Sequence, residues 1–130
     1  MLIDTDVLIW YLRGEKKATA LIDHIESFEM SAVNYMEILH GLRNKTELRA
    51  WKEYIKVRGV QVILIDHEIT TKAIYWTEEF GLSHGLRLAD ALIAATADIY
   101  GKELLTGNTA DYRFIPGLTL KPFRSSQNGH

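Results

Sequence analysis

The chain has 130 residues, of which 47% are apolar and 25% charged, proportions that exclude a disordered chain and fit one globular domain. It has no cysteine, which excludes disulfides, thiolate nucleophiles and cysteine-held zinc. The 15 lysines and arginines against 17 aspartates and glutamates give a net charge of −2, so the chain as a whole is not a basic nucleic-acid clamp. No apolar run is long enough to span a bilayer, and the first residues lack a basic leader. We therefore expect a soluble, cytoplasmic protein.

Short apolar strands alternate with helical patterns along the whole chain. In chain order we expect a strand at residues 1–4, helical segments at 7–12 and 17–27, a strand at 29–32, and helices at 34–42 and 46–58. A strand at 60–65 follows, then a helix capped by Asp66 with its apolar face at Ile69, Ala73, Trp76 and Phe80, then a loop at 81–85. The last elements are a helix at 88–100, a strand at 103–106, a loop at 107–116 and a strand at 118–120. This alternation predicts a single α/β domain over residues 1–123, with a mostly parallel sheet flanked by helices, followed by a polar tail at 124–130.

The first candidate for chemistry is a pair of acids after the first strand. Asp4 ends a buried apolar run, where an uncompensated carboxylate is costly, and Asp6 follows it. A hard divalent cation would compensate this charge, since such ions prefer oxygen ligands. Capping of the helix that starts near Val7 is an equally open interpretation.

Two further acids stand in apolar helices. Glu37 has apolar or aromatic neighbours, although a surface glutamate would look the same. Asp90 is the more unusual of the two, because its helix is rich in alanine and otherwise apolar. Asp98, two turns further on, is expected to be exposed.

A polar cluster follows the strand at 103–106. Asn108 and Asp111 can bind a metal directly or through water, but both residue types also serve turns. The carboxyl ends of parallel strands form the usual ligand edge of such a sheet, so these residues and the acids above are expected to converge. Converging carboxylates repel one another without a cation, which predicts Mg²⁺ or Mn²⁺ and hydrolysis of a phosphodiester.

Basic residues are concentrated in one segment. Residues 42–58 contain six basic and two acidic side chains, a net charge of +4 that can contact phosphates. A solvated helix face with ion pairs along the helix is the alternative.

Four segments, taken in order, resemble the PIN-domain family, and specifically the VapC-type toxins of toxin–antitoxin pairs. They are residues 2–9 (LIDTDVLI), 31–42 (SAVNYMEILHGL), 88–97 (LADALIAATA) and 104–118 (LLTGNTADYRFIPGL). The third segment is the most specific match. The resemblance extends from residue 1 to about residue 123.

The resemblance implies a metal-dependent endoribonuclease with acids that converge on Mg²⁺ or Mn²⁺. By motif position, Asp4, Glu37 and Asp90 are its main acids, with Asp4 and Asp90 on the metal. Asp111 or Asn108 completes the acidic site, and we take Asp111 as the catalytic choice. The resemblance makes Asp6, Thr106 and Asn108 supporting residues.

The resemblance also implies partners. A cognate VapB-type antitoxin would wrap the toxin with its C-terminal segment and block the acidic site, and a homodimer is expected. The RNA substrate would be a structured RNA of translation, tRNA or ribosomal RNA. Arg43, Lys45 and Arg49, close to Glu37 in sequence, are the candidate RNA contacts.

Two alternatives remain open from the sequence. The Asp4-Thr5-Asp6 start also resembles haloacid-dehalogenase-like phosphohydrolases, in which the first aspartate is a nucleophile. The other alternative is a catalytically silent PIN-like interaction module, which the uncharged Asn108 favours.

Overall fold

Residues 1–126 are described by the structure, a computed structural model, and within them five short strands form one parallel sheet. The strands are β1 (Leu2–Ile3), β2 (Glu29–Ser31), β3 (Gln61–Ile63), β4 (Leu104–Thr106) and β5 (Leu120–Pro122). Their order across the sheet is β3-β2-β1-β4-β5, and every pairing is parallel. The predicted α/β class and parallel sheet are confirmed. Of the polar tail predicted at 124–130, residues 127–130 lie outside the described residues.

Six helices connect and cover the strands within this part of the chain. They are α1 (Thr5–Leu12), α2 (Lys16–His24), α3 (Ala32–Gly41), α4 (Lys45–Arg58), α5 (His67–His84) and α6 (Leu88–Ile99). A single turn of 3-10 helix at Thr109–Asp111 follows β4. None of the helices in residues 1–126 combines the length and the apolarity that crossing a membrane requires.

The core lies in two clusters on opposite faces of the sheet. Leu2 and Leu104 pack into the cluster with α5 and α6, whereas their neighbours Ile3 and Leu105 pack into the cluster with α1, α2 and α4. This follows from the alternation of side chains along a strand. All four residues are fully buried. Burial of a side chain of this size stabilises the fold by about 1.5–3 kcal/mol.

The strand order reverses between β1 and β4. In open parallel sheets the crevice at such a reversal, beyond the carboxyl ends of the strands, is the usual binding position. Asp4 follows β1 directly and Gly107 follows β4 directly, so the start of α1 and the polar segment after β4 meet at this point.

The predicted loop at 81–85 is wrong, because α5 continues through Gly81 to His84 and ends at Gly85. The last turn is held by packing: the His84 ring stacks on Phe114 with centroids 4.5 Å apart. Gly81 is tolerated inside the helix at a cost of about 1 kcal/mol. Gly85 ends the helix in the left-handed region, with φ of 68°.

The last strand was predicted two residues too early. β5 covers Leu120–Pro122 rather than 118–120 and pairs with β4 from Leu104 to Thr106. Proline within a sequence argues against a central strand, but it is tolerated at a sheet edge, which is where β5 lies.

Candidate active site

Asp4 is buried at the end of β1 and accepts four hydrogen bonds. Its Oδ1 accepts from the Thr5 backbone N–H at 2.9 Å and from Asn34 Nδ2 at 3.1 Å. Its Oδ2 accepts from Thr106 Oγ1 at 2.8 Å and from the Tyr112 hydroxyl at 3.0 Å. Asp4 is also the N-cap of α1, so the capping interpretation is correct. The four donors compensate the buried carboxylate and fix its orientation.

Asn34 orients Asp4 from the first turn of α3. Ser31, the N-cap of α3, accepts from the Asn34 N–H at 3.0 Å and donates to Asn34 Oδ1 at 2.7 Å. Because the amide oxygen is occupied in this way, Nδ2 faces the opposite direction and donates to both Asp4 and Thr5. Asn34 is fully buried, so this orientation is held by packing as well as by hydrogen bonds.

Asp90 and Asp4 face the same hydroxyl group. Asp90 Oδ1 lies 3.2 Å from the Tyr112 hydroxyl, whose distance to Asp4 Oδ2 is 3.0 Å. A phenol has one proton to donate, so it cannot satisfy both carboxylates at once. Burial and the two carboxylates raise the pKa of Tyr112 far above its usual value, which keeps the hydroxyl protonated.

The charge of Asp90 is disfavoured by its surroundings. Burial raises the pKa of Asp90, the Arg87 guanidinium lowers it, and the negative charges of Asp111 and Asp4 raise it further. The Arg87 Nε lies 3.5 Å from Asp90 Oδ2, and its side chain is largely exposed, so the compensation is weak. Asp111 comes from the 3-10 turn after β4 and acts on Asp90 through its charge.

Glu37 is linked to the buried acids through Thr5. It is exposed on α3, one turn after Asn34, and accepts from Thr5 Oγ1 at 2.6 Å. Thr5 Oγ1 in turn accepts from Asn34 Nδ2 at 2.9 Å. The interpretation of Glu37 as a surface residue is therefore correct for its exposure, but its carboxylate belongs to the same hydrogen-bond network as Asp4.

Asp6 joins α1 to the segment after β4. Its Oδ2 accepts from the Gly107 N–H at 2.9 Å and from Asn108 Nδ2 at 3.2 Å, and its Oδ1 accepts from the Val7 N–H. Burial and the nearby Asp4 charge raise the pKa of Asp6 to about 6, against the lowering effect of the N–H donors. A side chain at position 107 would place a Cβ 2.6 Å from Asp6 Oδ2, so any residue other than glycine would displace the Asp6 carboxylate from its present position.

The donor chemistry of the site suits a hard divalent cation. Asp4 and Asp90 offer carboxylate oxygens to one hydroxyl, and the single Tyr112 proton can serve only one of these two charges at a time. Within residues 1–126, no three acidic or histidine side chains come together as a complete cation cage. The site is therefore a pair of carboxylates, and water and phosphate oxygens would supply the other ligands, as is usual for Mg²⁺.

A groove of about 730 Å³ lies between α1, α3 and α4, and we call it the α1–α3–α4 groove. Its lining combines apolar side chains with charged ones: Ile9, Leu12, Arg13, Glu37, Ile38, Gly41, Leu42, Arg43, Glu47, Ala50, Trp51 and Tyr54. Trp51 is 3% exposed, and its Nε1 is the one buried side-chain polar atom without a hydrogen-bond partner in the described part of the chain. Glu37 connects the groove to the acidic site.

The predicted basic residues lie around α4. Arg43 lines the groove and donates from Nε and Nη2 to Glu47 Oε2, at 3.2 and 2.9 Å. Lys45 and Arg49 are exposed on the first turns of α4. Asp98, expected to be exposed, is half-buried and pairs with Lys72 at 3.4 Å.

Sequence reasoning missed two residues of the site, Asn34 and Tyr112. Asn34 stands three residues before Glu37 and therefore lies on the same face of the helix. A polar residue at this spacing from a candidate acid, in a helix that is otherwise apolar, could have been recognised from the sequence. Tyr112 had no signal of its own, because an aromatic residue after a polar cluster is most often part of the core.

Comparison with known proteins decides the family. The family model described as "PIN domain" matches residues 1–114. The chain belongs to the PIN-domain family. The resemblance stated from the sequence is confirmed, and this membership excludes the haloacid-dehalogenase-like alternative.

The relatives of this PIN domain cover almost its whole length. It is 31% identical over 122 residues to "Ribonuclease VapC19" of Mycobacterium tuberculosis, an alignment that covers 90% of this chain and 95% of the relative. It is 29% identical over 126 residues to "Ribonuclease VapC1" of Rickettsia felis, covering 92% and 93%.

Solved structures share the fold. A toxin–antitoxin complex from Klebsiella pneumoniae aligns with a TM-score of 0.73 and 29% identity, covering 95% of this chain and 98% of that chain. A DNA-bound VapBC from Salmonella typhimurium aligns with a TM-score of 0.80 and 19% identity, covering 93% and 96%. The second likeness concerns the fold alone.

Proposed function

We propose that this PIN domain is an endoribonuclease toxin of the VapC type. The observation that carries the proposal is the position of Asp4 and Asp90, two carboxylates from separate elements that face one hydroxyl at the reversal of the strand order. The relatives named as ribonucleases, which match over almost their whole length, support the same activity. We assign Asp4, Glu37, Asp90 and Asp111 to the catalytic group, with Asp6, Thr106 and Asn108 in support.

Asp4 and Asp90 would hold Mg²⁺ or Mn²⁺. When bound, the cation would supply Lewis-acid chemistry that activates water and offsets charge on the phosphate. The chain's part is orientation, since Asn34, Thr106 and Tyr112 fix the Asp4 carboxylate through three side-chain donors. The exposed Glu37 is positioned by Thr5 to accept a proton from water at the open side of the site.

We propose that the substrate is a structured RNA of translation, tRNA or ribosomal RNA. The basic segment around α4 supports an RNA contact, because α4 borders the groove that Glu37 connects to the acids. Among its residues, Arg43 is already paired with Glu47, so Lys45 and Arg49 would contribute more to phosphate binding.

We also propose a VapB-type antitoxin partner in the α1–α3–α4 groove. The groove offers apolar surface and cationic side chains, which suits a peptide segment with apolar side chains and oxygen acceptors. Such a segment would reach Glu37 and so block the acidic site. The complexes from Klebsiella pneumoniae and Salmonella typhimurium show that proteins of this fold pair with antitoxins.

A homodimer is the second assembly that we propose. Ile74, Tyr75 and Leu82 of α5 and the nearby Leu88 are exposed apolar side chains, and such a concentration is typical of an interface. The mass of the free chain in solution tests this assembly, and a monomer at micromolar concentration would contradict it.

Cleavage of RNA by the purified chain tests the activity. We expect Asp90→Asn to reduce the rate by at least about a hundredfold, since it removes one carboxylate of the pair. Added Mg²⁺ or Mn²⁺ should support cleavage by the wild type, and a chelator should stop it. Asp98→Asn is the matched control, because Asp98 lies on the same helix but pairs with Lys72 outside the site.

Two outcomes would contradict the proposal. Full activity in Asp90→Asn would remove Asp90 from the catalytic group. Absence of cleavage by the wild type, freed of any partner and supplied with metal, would favour the silent interaction module.

A further inference from the structure

A second cavity, of about 400 Å³, adjoins the acidic site, and we call it the Trp10 cavity. Its lining residues come from α1, from the segment after β4 and from the end of β5 onward, and they include Asp6, Trp10, Asn108, Phe123 and Arg124. Its volume falls in the range of small-ligand sites, about 300–1,000 Å³. None of the roles assigned above to the catalytic acids uses this space.

The Trp10 cavity is coupled to Asp4 through short hydrogen bonds. Asn108, in the cavity wall, donates its backbone N–H to Thr106 Oγ1 at 3.0 Å. Thr106 Oγ1 donates to Asp4 Oδ2 at 2.8 Å. The wall of the cavity is therefore joined to Asp4 through one intervening side chain.

The walls of the cavity are fixed by specific contacts. Phe123 donates its backbone N–H to the Thr106 carbonyl at 2.8 Å, which ties the residues after β5 to the end of β4. Glu15, only 4% exposed, accepts from the backbone N–H of Ser126 at 2.8 Å and also from its hydroxyl. These bonds hold residues 123–126 against the start of α2, so the cavity is already formed in the free chain.

The lining chemistry suits a nucleotide. Trp10 provides an aromatic surface for a base, and Arg124 provides a guanidinium for a phosphate. No carboxylate within residues 1–126 is in ion-pair contact with Arg124. Asp6 also faces the cavity, but three N–H donors from Val7, Gly107 and Asn108 offset its charge.

We propose that the Trp10 cavity binds the nucleotide of the RNA substrate next to the cleaved phosphodiester, with its base against Trp10 and its phosphate on Arg124. The proposal rests on the proposed ribonuclease function and adds to it a site that can select the base. Trp10 and Arg124 are binding residues here, and neither belongs to the acidic pair.

The proposal is tested by measuring the binding of short single-stranded oligoribonucleotides. All of them have the same length, and each contains only one kind of base. The full chain with Asp90→Asn serves as the background, so that binding is measured without cleavage.

Trp10→Ala should weaken binding about tenfold, and Trp10→Phe, which keeps an aromatic ring, should restore most of it. Arg124→Ala should weaken binding at low salt, and the slope of log affinity against log salt concentration should fall by the amount expected for about one phosphate contact. Arg124→Lys should keep the wild-type slope. Lys121→Ala, an exposed residue of β5 outside the cavity lining, is the control.

In the active chain, the same variants should raise KM for RNA with a smaller change in kcat. If the wild type cleaves RNA but Trp10→Ala and Arg124→Ala bind and cleave as it does, the cavity proposal is overturned while the ribonuclease function stands. If the variants weaken antitoxin binding and leave RNA binding unchanged, the cavity belongs to the partner and the proposal is also overturned. If the wild type cleaves no RNA, the ribonuclease function itself fails, and the cavity proposal falls with it.

Discussion

Trp51 shows how a single atom can indicate a missing partner. Its ring is buried between Tyr35 and Tyr54, with ring centroids 6.4 and 5.9 Å away, but its indole N–H has no acceptor. Leaving such a donor unpaired in a buried position costs about 1–3 kcal/mol. Because this N–H is buried in the free chain, a partner segment in the α1–α3–α4 groove would recover this free energy by shifting the ring and supplying an oxygen acceptor.

Replacement of Trp51 by phenylalanine isolates the contribution of this N–H. We expect Trp51→Phe to weaken binding of the cognate antitoxin about tenfold, equivalent to about 1.4 kcal/mol, because the acceptor on the partner loses its donor. Trp76→Phe makes the same chemical change in the core cluster on the other face of the sheet and should leave the affinity unchanged. Calorimetric titration of both variants measures the difference, and equal affinity of Trp51→Phe and the wild type would contradict this role.

The acids of the site were predictable from sequence, whereas the residues that orient them were less so. Asp4 and Asp90 stand out because an acid in an apolar strand or helix needs a compensating group. The contact of Tyr112 with Asp4 joins residues 108 positions apart, and no local pattern specifies it. The position of Asn34 could have been inferred from its helix face, but its bond to Asp4 depends on how α3 packs beside β1.

At the scale of elements, α4 carries most of the basic segment and also one wall of the groove. Its N-cap Asn44 accepts from the Glu47 N–H, and Gly59 ends it with φ of 72°. Trp51 is its one buried residue and Tyr54 and Ile55 pack partly against the core, whereas most of its other residues are exposed to solvent and to partners.

Charge reversal on α4 tests its contact with RNA. We expect the triple variant Arg43→Glu, Lys45→Glu and Arg49→Glu to bind RNA more weakly. The slope of log affinity against log salt concentration should also fall by the amount expected for about two phosphate contacts. Lys16→Glu with Lys17→Glu, exposed on α2, is the control for a change of net charge alone. Unchanged affinity and salt dependence in the triple variant would exclude α4 from the RNA-binding surface.

Element type was predictable along nearly the whole chain, but element ends were not. The alternation of strand and helix patterns predicted the parallel sheet, because the spacing of apolar residues along the chain reflects which side chains are buried. The continuation of α5 through Gly81 depends on the stacking of His84 on Phe114, a tertiary contact. The position of β5 depends on pairing with β4 at the sheet edge, which local sequence does not record.

Glu15 links the start of α2 to the residues that follow β5, which are far apart in the sequence. It caps α2 through the Ala18 N–H and accepts from Ser126, which follows the last strand. Burial alone would raise the pKa of Glu15, but the hydrogen bonds from Ser126, Ala18 and Lys17 outweigh it and lower the pKa to about 2. The carboxylate is thus held ionised by contacts that only the folded chain provides.

This lowered pKa predicts a loss of stability in acid. Because the folded-state pKa lies below the usual glutamate value of 4.5, the contribution of Glu15 is fully present above pH 4.5 and is lost as the pH falls towards 2. Glu15→Gln should therefore lower the free energy of unfolding by about 1–2 kcal/mol at pH 7, with the difference from wild type shrinking below pH 4.

Urea unfolding at several pH values measures this difference. Glu26→Gln, an exposed residue before β2, is the control and should match the wild type throughout. A Glu15→Gln deficit that stays constant down to pH 3 would contradict the assignment of the lowered pKa to this contact.

Titration of the purified chain with Mn²⁺ tests whether Asp4 and Asp90 share one cation. We predict that Mn²⁺ binds the wild type and raises its melting temperature through binding linkage. Asp98→Asn should behave in the same way, whereas Asp90→Asn should lose both effects while remaining folded and, without metal, at least as stable as the wild type. Equal Mn²⁺ binding by Asp90→Asn and the wild type, or no binding by the wild type at millimolar Mn²⁺, would contradict the account.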